Sequence, residues 1–78
     1  MFREYKMKKE IEVEQNDEGY RVVGILDGKT MIAASNRFLK GEWHITQSSG
    51  LVGSLEEARQ ALGLMNDVML KVEELKNK

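Results

Sequence analysis

Seventy-eight residues with no cysteine, no proline, one histidine and a formal charge of −1 describe one domain, residues 1–78, that folds on an apolar core, with or without help from a second copy. A chain of this size buries roughly 60–65% of the surface its unfolded form exposes, and it lacks the cysteines for a disulfide frame and the histidines for a zinc site. Twelve basic against 13 acidic residues exclude the strongly cationic class of nucleic-acid binder.

The chain opens with alternation. Over 5–15 the odd positions include Tyr5, Met7, Ile11 and Val13 and the even ones Lys6, Lys8, Glu10, Glu12 and Glu14, a strand with one buried and one wet face. Asn16-Asp17-Glu18-Gly19 supplies turn residues, and 20–26, rich in Tyr, Val and Ile, reads as a second strand. Asp27-Gly28 between apolar runs signals a two-residue hairpin, because its turn needs positive φ at both positions. A third strand follows over 29–36 and a fourth over 43–47, after Leu39-Lys40-Gly41. Ser54-Leu55-Glu56-Glu57 is a capping-box pattern. Behind it Ala58, Ala61, Leu62, Met65, Val68, Met69, Val72 and Leu75 form an apolar helical stripe over 55–75. Gly63 interrupts its composition, but the continuous stripe favours a single helix, whose Met65, Met69, Val72 and Leu75 end can outreach the sheet and pack against another copy. The expected fold is α+β: a four-stranded antiparallel meander followed by one long helix on one sheet face, ββββα.

Loop lengths then set the faces, since residues paired across a hairpin point the same way. The first turn pairs Gln15 with Tyr20, Glu14 with Arg21, Val13 with Val22 and Ile11 with Gly24. The second pairs Leu26 with Lys29, Gly24 with Met31 and Val22 with Ala33. Tyr5, Met7, Ile11, Val13, Tyr20, Val22, Leu26, Met31 and Ala33 then face the helix, with Trp43 and Ile45 joining them if Gly41 closes a three-residue loop in the left-handed conformation. Val23, Ile25, Ile32 and Ala34 are left on the opposite face. Together with Leu70, on the polar side of the helix, they are the expected protein interface, because an apolar patch rimmed by charge marks a contact surface.

Catalytic and ligand-binding chemistry finds little to work with. His44 alternates with Trp43 and Ile45 and reads as an ordinary strand residue, since one histidine supplies too few ligands for a zinc site. The series Glu10, Glu12 and Glu14 with Asp17 and Glu18 lacks the ligand spacing of a calcium loop, and charged strand faces resist edge-to-edge aggregation. Gly50-Leu51-Val52-Gly53-Ser54 precedes a helix, but lacks the Gly-Lys-Ser/Thr ending of a phosphate loop. Glu56 and Glu57 would also repel a phosphate in the first helical turn. No apolar run approaches the ~20 residues of a membrane helix, and the first residues lack a signal-peptide pattern, so a cytoplasmic location is the expectation.

Two functions are weighed. The first is a small non-enzymatic interaction module, without metal or cofactor, acting as a homodimeric regulator or as an inhibitor or adaptor on a larger protein. The second is single-stranded nucleic-acid binding by a sheet-plus-helix dimer through Lys6, Lys8, Arg37, Lys40 and Trp43. Four strands and then a helix is an order similar to that of Whirly-type single-strand binders, a similarity of element order that no sequence motif carries. Single-strand binding needs a cationic groove with aromatic platforms, whereas residues 10–18 carry five acids and no base. The first reading is preferred.

Overall fold

A computed structural model describes residues 8–37, 41–48 and 54–77. Its elements are β1 (Lys9–Asn16), β2 (Gly19–Leu26), β3 (Lys29–Ser35), β4 (His44–Ser48) and α1 (Leu55–Lys76). The strands form one antiparallel sheet in the order β1-β2-β3-β4, and α1 packs on one face of it. This is the expected ββββα arrangement. The expected core residues Tyr5 and Met7, the hairpin residues Leu39 and Lys40, and the loop 49–53 lie outside the described residues.

The first hairpin keeps its expected register: Ile11 pairs with Gly24, Val13 with Val22 and Glu14 with Arg21. Asn16 closes its turn by accepting hydrogen bonds at Oδ1 from the amides of Glu18 (2.9 Å) and Gly19 (3.2 Å), the local side-chain turn that asparagine favours. In the second hairpin Asp27 and Gly28 both take positive φ, +48° and +78°, and Leu26 pairs with Lys29.

Beyond that turn the expected register fails. Ile25 pairs with Thr30 but Gly24 pairs with Ile32, so Met31 is one residue too many in β3. Such a β-bulge shifts the alternation by one and turns every following side chain to the other face. Ile32 and Ala34, expected opposite the helix, lie in its core with Val22, Val68, Val72 and Leu75. Ala33 moves the other way and pairs with Val23. Met31 itself stays with the helix and packs with Leu26, Ala61 and Leu64. A second irregularity sets Ala33 opposite Gln47 and Ala34 opposite Ile45. The extra residue there, Thr46, donates its hydroxyl to the Ala33 carbonyl at 3.4 Å.

Helix α1 starts where the capping pattern places it. Ser54 is extended (φ −159°, ψ 166°) and its side chain accepts from the Glu57 amide at 3.1 Å, satisfying one of the free donors of the first turn. The helix runs through Gly63 without a break. Its buried side chains are Ala61, Leu64, Val68, Val72 and Leu75, a stripe narrower than the expected one. Leu64 belongs to it, whereas Leu62, Met65 and Met69 do not.

The helix seats on β2 at Gly24. A Cβ there would stand 2.8 Å from Val68 Cγ2, 2.9 Å from Ile32 Cγ2 and 3.0 Å from Leu64 Cγ, and all three of those side chains are buried. Gly24→Ala therefore overpacks the core and lowers stability by about 1–3 kcal/mol. Gly63 is the opposite case: its nearest neighbour to an added Cβ is the flexible Lys9 Nζ, at 3.8 Å. Gly63→Ala gains about 1 kcal/mol of helix propensity. Thermal unfolding should separate the two glycines in sign, by about 4–8 °C per kcal/mol for a domain of this size.

Candidate interaction surface

The expected interface is largely inside the molecule. Ile32 and Ala34 are buried under α1, Val23 is buried on the other face beside its partner Ala33, and Ile25 is half-buried. The bulge at Met31 is the reason for the first two. Of that set only Leu70 is exposed. It shares a shallow recess with Ile11, Asp67, Lys71 and Glu74 on the β1 side of the helix.

Among the described residues Ile11 and Val13 of β1 and Ile45 of β4 reach solvent, and the most extended apolar line is on α1. Leu62, Met65 and Met69 are 66%, 39% and 44% exposed, at spacings of three and four that align them along one flank. Leu55 continues the line at the start of the helix, and Ile45, half exposed, points from β4 to the helix side of the sheet beside its partner Ala34. The cause is geometric. Helices pack about 8–10 Å apart while strands repeat about every 4.8 Å, so one helix covers only about two strands fully. Here α1 lies chiefly on β2 and then β3, with a lesser contact to β1. Sequence reasoning reached Met65 and Met69 only as part of a helix end, with Val72 and Leu75, that could meet another copy; Leu62 was missed and Val72 and Leu75 are buried, because eight apolar residues were assigned to one stripe. The width of that arc was the available signal, since a core-facing stripe needs little more than about 100° of the helix.

The basic and aromatic candidates do not assemble. Lys8 is exposed and pairs with Glu10 at 2.9 Å; the hydrogen bond to Glu10 and then its charge raise the Lys8 ammonium above its ordinary value. Arg37, its side chain 16% exposed, reaches Glu14 at 3.9 Å, and Arg21 approaches the same carboxylate at 3.5 Å. Lys8 and Glu14 are six positions apart along β1, about 20 Å at 3.4 Å per residue. Trp43 stacks on Tyr20 (centroids 6.5 Å apart, planes at 15°) and packs against the helix-side core, so its ring completes the core. Lys6 and Lys40 lie outside the described residues.

His44 is half-buried, with Nδ1 3.1 Å from the Glu42 carbonyl oxygen. Among the described residues no group of three or more His, Cys, Asp or Glu side chains is placed to hold a metal ion, and no helix is long and apolar enough to cross a membrane. Comparison with protein-family models, curated proteins and solved structures finds no match to the chain.

The Glu14 cluster has a structural consequence. The Arg37 Nε is buried and has no hydrogen-bond partner among the described residues, so the Glu14 carboxylate is the charge that compensates this guanidinium. Glu14→Gln should cost about 1 kcal/mol, whereas Glu12→Gln, on the same exposed strand, should stay within about 0.5 kcal/mol. Urea unfolding of the two variants measures the difference.

Proposed function

We propose that this chain is a small non-enzymatic protein-interaction module whose working surface is the outer flank of α1. One observation carries the reading: Leu62, Met65 and Met69 stand exposed in line beside the buried stripe Ala61, Leu64, Val68, Val72 and Leu75 that seats the helix on the sheet. Exposed apolar side chains are ordinary when scattered, and a contiguous line of them marks a contact surface. Methionine suits such a surface, because its unbranched, polarizable side chain adapts to the partner's shape. Ile45, half exposed on the helix side of β4, adds apolar surface beyond the helix. The surface fits a regulator, inhibitor or adaptor that works by covering part of another protein.

Affinity capture from native-host lysate tests this reading with equal amounts of wild type and the double variant Leu62→Glu/Met69→Glu. Both substituted positions are exposed, so the variant keeps its circular-dichroism spectrum. The wild type should enrich protein, its own untagged copy included, that the variant loses. Identical recovery on both, or none on either, would contradict the proposal.

A further inference from the structure

We infer that the flank of α1 is occupied by a second copy of the same chain, with the two helices antiparallel; this rests on the interaction reading above and names its partner. Leu55, Leu62 and Met69 recur every seven residues, with Met65 at the intermediate position. That is the repeat with which two helices pack side by side along a seam. The exposed part of the seam, Leu62 to Met69, is centred beside Asn66.

The charges next to the seam have the same centre. Arg59 and Glu73 each lie seven residues from Asn66, one on either side, and occupy the same edge of the repeat as Asn66. Rotating a second helix by half a turn about Asn66 places Arg59 of each copy beside Glu73 of the other. Met65 of each copy then meets Met69 of the other. A parallel pair would set arginine level with arginine and glutamate level with glutamate. The antiparallel pair is self-complementary and closes on itself, as a two-fold interface must. Within one chain Arg59 approaches Glu56 at 4.0 Å and Glu73 approaches Lys76 at 3.3 Å. These exposed pairs, one turn apart, hold weakly and leave both side chains free to turn toward a neighbour.

Size-exclusion chromatography with light scattering, from micromolar to millimolar concentration, tests the inference. The mass should rise from that of the 8.9 kDa chain toward twice that value. Met69→Glu should raise the dissociation constant at least tenfold while circular dichroism shows the fold intact, and Leu62→Lys provides a second probe should Met69→Glu misfold. Arg59→Glu and Glu73→Arg should each weaken self-association. The mixture of the two, in which opposite charges face each other at both ends, should associate more tightly than either alone. A strict monomer, or a dimer indifferent to Met69→Glu and Leu62→Lys, overturns the inference. A dimer lost in those variants but not weakened by Arg59→Glu or by Glu73→Arg overturns the antiparallel arrangement, because only the antiparallel pair has an Arg59–Glu73 attraction to lose. A monomeric wild type that still captures another protein through Leu62 and Met69 overturns the second copy and leaves the interaction reading standing.

Discussion

The packing of α1 on the sheet turns on a close approach at Gly24, where Val68 and Leu64 of the helix and Ile32 of the neighbouring strand meet over a residue with no side chain. The bulge at Met31 makes that meeting possible, because it brings Ile32 level with Gly24 and turns it toward the helix. Without the extra residue the helix would face Met31 and Ala33, and the branched side chain that fills the space beside Gly24 would point away. The two features are complementary: a position emptied on β2 and a residue inserted in β3. They draw Val22, Ile32, Ala34, Val68, Val72 and Leu75 into one cluster.

Seating the helix there has a consequence at the surface. A helix centred near β2 spends its apolar residues on β2 and β3, so the side chains one step round toward β4 stay exposed. Leu62, Met65 and Met69 are those side chains, and Ile45 is their counterpart on β4. Burial of a single side chain of this kind is worth about 1.5–3 kcal/mol. That is a large amount to forgo in a chain whose size leaves it near the lower limit of independent folding. A partner on the flank recovers it, which connects the small size of the domain to the proposed interaction.

Much of the architecture was legible in the residues. Alternation in β1, the Asp27-Gly28 turn and the Ser54 cap place the strands and the helix start within a few residues, and the first hairpin's register follows from the turn length. Trp43 and Ile45 also lie on the expected side of the sheet and Gly41 takes a positive φ (+85°), but Ser35 pairs with His44 rather than with Ile45, as a three-residue Leu39-Lys40-Gly41 loop would require. The candidate interface was legible only in Met65 and Met69, for two physical reasons. A bulge carries no marker in Thr30-Met31-Ile32, where all three residues suit a strand, so strict alternation was carried through it and sent Ile32 and Ala34 to the wrong face. On the helix, an apolar arc wider than the sheet can cover was read as one stripe. The first error placed the buried Ile32 and Ala34 on an exposed patch, and the second left Leu62 among the buried residues and counted the buried Val72 and Leu75 with Met65 and Met69 as a helix end for another copy.

The account rests on the flank of α1 being a covered surface in the associated protein, and the methionines report on that directly. Brief peroxide treatment followed by mass spectrometry measures oxidation at each one, since thioether oxidation follows exposure. Met31, 4% exposed in the core, serves as the internal reference. Met65 and Met69 should oxidise quickly in dilute protein and slow several-fold as the concentration rises, while Met31 stays slow throughout. Equal oxidation of Met65 and Met69 at every concentration would contradict the account.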